Sequence, residues 1–310
     1  MKNIVLGTWS WGSGAVGGNE VFGNHLDASD LKAVFGLAME EGMNFWDTAY
    51  VYGMGASEEI LASFTRPLPR ESYRISTKFT PQVADAQADD PVGAMLDRSL
   101  ACFGIDSVDM FWIHNPADVE KWTPLLAPLV KSGKAKKIGL SNHSFAQIQR
   151  AAEILAREGV RISAIQNHFS LLYRASQKSG ILDWCRENGV QFWAYMVLEQ
   201  GALSGKHDAG HPLPEGSMRA ATYNPLLPAM DGLLKLLREI GGRHGVTPAQ
   251  VAIAWAAARG VVPIIGVTRE VQVREAAAAL DVPLSEAEMA ALEKAADASG
   301  VDTEAAWEKM

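Results

Sequence analysis

The chain has 310 residues, 48% of them hydrophobic, which is enough to bury a large core and fits one large α/β domain or two ordinary ones. A formal net charge of −8 argues against nucleic acid or an anionic membrane as partner and favours a small-molecule enzyme. Cys102 and Cys185 stand in no metal-ligand spacing, no apolar run reaches membrane-spanning length, and Met1 to Gly7 reaches glycine before a signal-length apolar region builds up, so a reducing cytoplasm is the expected compartment.

In chain order, Ile4 to Trp9 reads as strand one, stopped by the glycine-rich Ser10 to Gly14. Leu31, Val34, Phe35 and Ala38 repeat at helical spacing until Gly42, and strand two follows at Asn44 to Asp47. The alternation continues: helix at Ser57 to Phe64, strand at Tyr73 to Lys78, helix at Pro91 to Phe103, strand at Val108 to His114. Then come a helix at Glu120 to Lys131, a strand at Ala135 to Leu140, a helix at Phe145 to Arg157 and a strand at Ile162 to Gln166. A helix at Ser179 to Glu187 precedes strand seven, Val190 to Tyr195. Gly201 to Pro228 reads as a long loop, followed by helices at Leu233 to Arg243 and Pro248 to Arg259, strand eight at Val261 to Ile265, and a helix at Val271 to Leu280. Ser285 and Glu288 make a capping pattern for a terminal helix to about Ala298.

Eight strands with intervening helices predict a closed (β/α)8 TIM barrel over residues 1–310 as a single domain, with an accessory helix between strands seven and eight and a C-terminal helix. Strand one begins almost at Met1, so no N-terminal hairpin is expected. The glycines of Gly12 to Gly18 follow a strand, but no helix is expected to open on them as a Rossmann fingerprint requires, and they read as a flexible rim loop.

Three successive strands end in chemistry. Asp47 closes strand two, with Tyr52 five residues on and able to fold back over the strand end; Lys78 closes strand three and His114 strand four. Taken singly, each has an ordinary structural role as a turn cap, a loop phenol, a surface charge or a satisfied imidazole. Together at one barrel face, they form a proton-transfer set: a lysine ammonium stabilises a phenolate, an acid holds the ammonium, and an imidazole orients a carbonyl oxygen. Trp9 and Trp11 are candidates for lining a substrate cavity, whereas Trp112, inside a strand, reads as barrel packing. His143, His168, His207 and His211 form no tight ligand spacing, so no catalytic metal is expected.

The pattern resembles the aldo-keto reductases along nearly the whole chain, from Leu6-Gly7-Thr8-Trp9 through the loop after strand eight. The resemblance implies reversible carbonyl reduction with a nicotinamide cofactor on an aldehyde, ketone or alcohol, by a monomer or small homo-oligomer. Asp47, Tyr52, Lys78 and His114 match the family's catalytic tetrad, with Tyr52 rather than Tyr50 as proton donor because it precedes Gly53. Gly139-Leu140-Ser141-Asn142 resembles the strand-five signature whose Ser-Asn pair, with Gln166, holds the nicotinamide carboxamide, and Tyr195 matches the residue stacked on the ring. Met196, Leu198, Leu203 and Lys206 fall in the loop laid along the cofactor pyrophosphate. Gly266, Val267, Thr268, Arg269 and Gln272 occupy the phosphate-clamp region, where Arg269 is either the partner of an adenosine 2′-phosphate or an ordinary surface charge; NADP(H) is favoured over NAD(H).

Two departures bear on specificity. Met196-Val197-Leu198 replaces the frequent Ser-Pro-Leu, removing a hydroxyl, and Asn115-Pro116 replaces a frequent tryptophan-proline, making that wall more polar. With His143 and His168 near the strand-five and strand-six rims, this predicts a hydrogen-bonding pocket for sugar-derived or oxygenated ring carbonyls. Two other readings remain: an aldolase using Lys78 as a Schiff base, and a cofactor-sensing regulatory subunit.

Overall fold

The short apolar runs become one closed, all-parallel barrel. In a computed structural model, which describes residues 3–308, β1 (Val5–Gly7), β2 (Phe45–Asp47), β3 (Arg74–Phe79), β4 (Met110–Ile113), β5 (Ile138–Ser141), β6 (Ala164–His168), β7 (Gln191–Tyr195) and β8 (Val262–Gly266) pair in sequential order, and β1 closes on β8. β3 and β4 are buried along almost their whole length because helices cover them outside and side chains fill the barrel inside, so they read as continuous apolar runs.

The connecting helices carry their own boundaries. Asp90 accepts from the Gly93 amide to open Pro91–Phe103, and Gly104 closes it in the left-handed region at φ 68°. Ser144 and Gln147 form a reciprocal capping box ahead of Phe145–Arg157, and Ser285 with Glu288 does the same ahead of the terminal helix Glu286–Ser299.

Three expectations are corrected. A helix does open on the glycine-rich segment, Gly18–Phe22; it is short, and Gly18 packs so closely under the Ser10 carbonyl that a Cβ there would lie 2.5 Å from it. The predicted Glu120 to Lys131 helix is interrupted at Thr123–Leu125, where Pro124 lacks the amide that would continue it. Gly201 to Pro228 contains the helix Met218–Tyr223, and the accessory helix begins earlier than expected, as Leu227–His244.

The core has two parts. The larger lies between barrel and helices, with Leu31, Phe35, Trp46, Leu96, Phe103, Ile148 and Leu237 among its members. The smaller fills the barrel interior with Val5, Met110, Trp112, Trp193 and Ile264, the two indoles 5.1 Å apart. Gly139 on β5 makes room for this plug: a Cβ there would stand 2.2 Å from the Trp112 ring and 2.6 Å from the Ala164 carbonyl oxygen. The Trp112 indole donates to Ser76 Oγ at 2.6 Å, so this plug is also the floor of the polar cluster above it.

Candidate active site

The register places Asp47 beside Ser76, and Lys78 beside Trp112, one pair from the end of β4. Tyr52 reaches this point because the chain after β2 reverses sharply: Gly53, Met54 and Gly55 follow at φ 62°, 50° and 105°, conformations cheap only for glycine. The Tyr52 ring then lies over Lys78, whose Nζ is 4.7 Å from its centroid, and stacks on Trp9 at 5.7 Å.

Lys78 is fully buried, and its three N–H groups all have partners: Asp47 Oδ2 at 2.6 Å, the Thr48 carbonyl at 2.8 Å and the Tyr52 oxygen at 3.0 Å. Burial alone would lower its pKa, but the Asp47 charge and the Tyr52 contact outweigh it and the net shift is upward. Asp47 is fixed in turn, its Oδ1 accepting from Ser76 Oγ at 2.6 Å and from Gln166 Nε2 at 3.2 Å. Burial pushes the Tyr52 phenol up, against the pull of Lys78, so it is protonated at neutral pH. Since Lys78 donates to the Tyr52 oxygen, the phenolic hydrogen points elsewhere. His114 ring and Tyr52 ring centroids lie 5.9 Å apart, and burial together with the Lys78 charge holds the imidazole well below its usual pKa, hence neutral. Its Nδ1 is 2.8 Å from Thr80 Oγ1.

On the next strands, Ser141 is buried at the end of β5, and Asn142 follows at φ 64° with Nδ2 donating to the His114 carbonyl at 2.8 Å. The Tyr195 hydroxyl is 2.5 Å from Asn142 Oδ1. Beyond β7, Met196, Glu199 and Gln200 all take positive φ, Leu198 is half-buried, Leu203 buried and Lys206 exposed. Gly266, which ends β8, is exposed; beyond it Val267 is buried and Arg269 exposed. Gln272 Oε1 folds back to accept from the Thr268 amide at 2.8 Å and the Arg269 amide at 2.9 Å, so its carbonyl oxygen caps the helix Glu270–Ala279.

Several expected substrate contacts are corrected. Trp11 is fully buried, its indole donating to the Val267 carbonyl at 2.7 Å and packing on Trp46, so it braces the loop after β8 and lines no open cavity. Asn115 is almost buried with both ends of its amide engaged, Nδ2 on Gln82 Oε1 at 3.1 Å and Oδ1 accepting from Asn142 at 3.2 Å. His143 is buried with Nδ1 on the Ser141 carbonyl at 2.7 Å and Nε2 without a partner, and His168 is buried between two glutamates, so neither is exposed at the rim.

One residue of interest escaped the sequence reading. Arg219, in the helix Met218–Tyr223, donates to the Gln200 carbonyl at 3.2 Å, while its buried Nε has no partner. Burial and the charge of Arg269 both lower its pKa, so the two guanidiniums sit within each other's field. The signal was present: Ser217 is an N-cap directly ahead of it, in a stretch read only as loop. Among the described residues, no group of three or more His, Cys, Asp or Glu side chains is placed to hold a metal ion, and no helix is long and apolar enough to cross a membrane.

A closed parallel barrel with an acid, an amine, a phenol and an imidazole gathered at the C-terminal ends of adjacent strands belongs to the barrel enzymes. The Aldo/keto reductase family model matches residues 3–297, and the chain belongs to that family of oxidoreductases. It is 29% identical to the aldo-keto reductase yakc [NADP(+)] of Schizosaccharomyces pombe, with 92% of this chain and 88% of the relative covered. It is 30% identical to the chloroplastic pyridoxal reductase of Arabidopsis thaliana, with 95% and 83% covered. An aldo-keto reductase of Klebsiella pneumoniae solved in complex with NADPH superposes with a TM-score of 0.73 at 25% identity, covering 95% of this chain and 90% of that one.

Proposed function

We propose that the protein reversibly reduces an aldehyde or ketone to its alcohol, using NADP(H) in preference to NAD(H), with Tyr52 as proton donor. The observation that carries this is the hydrogen bonding of Lys78: all three of its donors are engaged, one of them on the Tyr52 oxygen, so the phenolic hydrogen is the proton left to transfer. As a carbonyl oxygen gains negative charge, Tyr52 donates to it, and Lys78 stabilises the phenolate left behind. Asp47 keeps Lys78 charged and in place, and neutral His114 orients the oxygen. The bound nicotinamide supplies the hydride.

The residues present fit such a cofactor. Gln166 offers an amide beside the tetrad and Ser141 a hydroxyl, and Asn142, engaged with His114, Asn115 and Tyr195, joins them on giving up one of those bonds; Tyr195 offers a ring; Met196, Leu198, Leu203 and Lys206 run along one edge. Gly266, Val267, Thr268, Arg269 and Gln272 form the other edge, at the N-terminus of Glu270–Ala279. Arg219 and Arg269 are the two cations for its phosphates, and the unpartnered Arg219 Nε is a donor without an acceptor until an anion is there. The yeast relative's name and the Klebsiella complex, both with NADP, support the same preference.

Trp9, stacked on Tyr52, flanks the carbonyl. An oxygenated ring carbonyl is the favoured substrate, and what supports it is the name of the Arabidopsis relative, a reductase of pyridoxal. A Schiff base on Lys78 is disfavoured, because its amine is buried, charged and fully hydrogen-bonded.

The test is NADPH and NADH oxidation against a carbonyl panel including pyridoxal and glyceraldehyde, with borohydride trapping in parallel. Turnover with NADPH is the expected result. A covalent adduct on Lys78 without cofactor oxidation overturns it in favour of an aldolase; tight cofactor binding with no turnover overturns it in favour of a sensor.

A further inference from the structure

Behind Tyr195 lies a buried charge cluster that carbonyl reduction does not use. His168, at the end of β6, is fully buried with Nε2 2.9 Å from Glu199 Oε1 and Nδ1 3.1 Å from Glu308 Oε1. Carboxylates only accept, so an imidazole facing one on each side must donate from both nitrogens and carry a charge. Its ring is sandwiched between Tyr173, at 4.4 Å, and Tyr195, at 5.6 Å.

The two glutamates belong to distant segments. Glu199 is fully buried in the strained turn after β7, at φ 47°, and also accepts from Tyr223 at 2.6 Å, from Thr303 at 3.0 Å and from Ser170. Glu308 belongs to the segment after the last helix, where its carboxylate accepts from the Ala305 amide at 2.6 Å and its Oε1 lies 2.8 Å from the Tyr195 hydroxyl. Its neighbour Trp307 donates to the Tyr195 oxygen at 3.1 Å and meets Trp9 edge-on at 5.9 Å. Trp9 is the ring stacked on Tyr52, so Trp307 stands one ring away from the phenol.

We propose that His168 is a positioning residue that bridges Glu199 to Glu308, and that by doing so it fixes Trp307 across the mouth of the site and limits the size of the carbonyl compound admitted. The bridge itself stands on geometry; its effect on size rests on the reading of Tyr52 as proton donor. Removing the bridge frees the tail without touching the tetrad, so the effect falls on KM for large substrates and not on kcat for small ones. A purely structural role would change stability and leave the ratio between substrates alone.

The test compares the unaltered protein with His168→Gln, Glu308→Gln, the double variant and a chain ended after Glu304. Hydrogen exchange is followed over residues 301–308 of the full-length proteins, and steady-state kinetics with propanal and 1-naphthaldehyde over all of them. Exchange in the tail should quicken at least tenfold in either single variant and no further in the double variant. The KM ratio between the two aldehydes should shift tenfold or more in the truncated chain, with kcat for propanal within threefold. Glu308→Gln lies on the tail, so it keeps the test open if His168→Gln does not fold. Unchanged tail exchange in Glu308→Gln overturns the bridge, and an unchanged KM ratio after truncation overturns the size limit. If the unaltered protein turns over neither aldehyde but the panel finds a substrate, the ratio is read on two sizes of that substrate class. If no carbonyl is reduced, the reductase reading and the size limit fall together, and tail exchange alone decides the bridge.

Discussion

Lys78 Nζ donates to Asp47 Oδ2 over 2.6 Å with side-chain exposures of 0% and 5%, so each charge depends on the other for its compensation. Removing one partner of a buried pair typically costs about 3–5 kcal/mol, because the remaining charge stays desolvated. Asp47→Ala should therefore lower unfolding free energy by about that much, and adding Lys78→Met should restore part of the loss. Denaturant melts of the two single variants and the double measure it; strictly additive losses would show that the pair is not coupled.

Tyr52→Phe keeps the ring stacked on Trp9 and removes the hydroxyl, and with it both the transferable hydrogen and the oxygen that accepts from Lys78. We expect kcat for carbonyl reduction to fall by about two to four orders of magnitude, with NADPH affinity, read by fluorescence titration, within threefold of the unaltered protein. Undiminished kcat would move the proton donor to another residue.

Stability should peak near neutral pH for two opposite reasons. His168 is raised to about 9 by Glu199 and Glu308, which outweigh its burial; Tyr173 and Tyr195 stack on it and Tyr223 faces it through Glu199. A raised folded pKa means stability that is fully present below about 6.5 and lost as pH climbs through about 9. His143 is lowered to about 4 by burial, so its contribution is present above about 6.5 and lost as pH falls through about 4. Melting temperature against pH should drop on both sides, and His168→Gln should flatten the alkaline limb alone. An alkaline limb as steep in that variant as in the parent would assign it to another group.

On the proposed reading, Arg219 and Arg269 divide the cofactor's phosphates between them, and their variants should differ. Arg219 lies beside the turn after β7 and Arg269 at the end of the loop after β8, so Arg219→Ala should raise KM for NADPH and NADH alike, about tenfold, a loss near 1.4 kcal/mol. Arg269→Ala should raise KM for NADPH selectively. Equal effects of Arg269→Ala on both cofactors remove its 2′-phosphate role.

Gly139→Ala places a methyl 2.2 Å from the edge of the Trp112 ring. Overpacking of this kind costs about 1–3 kcal/mol, and here the displaced indole also pulls on Ser76 and through it on Asp47. A lower melting temperature with a reduced kcat is expected, and Gly139→Ala/Trp112→Phe should recover stability. No recovery would mean that the methyl's clash with the Ala164 carbonyl dominates.

The barrel was legible because each strand is a brief apolar run bounded by polar or glycine-rich turns, and because consecutive strands of a parallel barrel are neighbours. Asp47, Lys78 and His114 could thus be placed together from their positions at strand ends alone. The boundaries of β1 and β4 were read too long, since Trp9 and His114 continue the residue pattern after the ladder has ended. What was not legible depends on pairings far apart in sequence. Nothing local joins His168 to Glu308, 140 residues away, or tells that Glu199 lies inside a cluster of hydroxyls. Trp11 was misplaced for a similar reason: its partner carbonyl, Val267, is 256 residues distant. Asn115, expected to make the pocket wall more polar, turns its amide on Gln82 and Asn142.

Among the described residues, the non-glycine positions with positive φ are Val16, Met54, Asn142, Met196, Glu199 and Gln200. All six lie in loops that leave the C-terminal ends of strands, and none at the opposite end of the barrel. Each holds roughly 1–2 kcal/mol of unfavourable backbone geometry that the rest of the structure must restrain. The molecule is therefore a relaxed base carrying a spring-loaded crown. On warming, the crown should let go first, so activity should fade at temperatures where circular dichroism still shows an intact barrel. For anyone tethering this enzyme to a support, the base, with turns such as Gly133 and Gly159, is the end to hold.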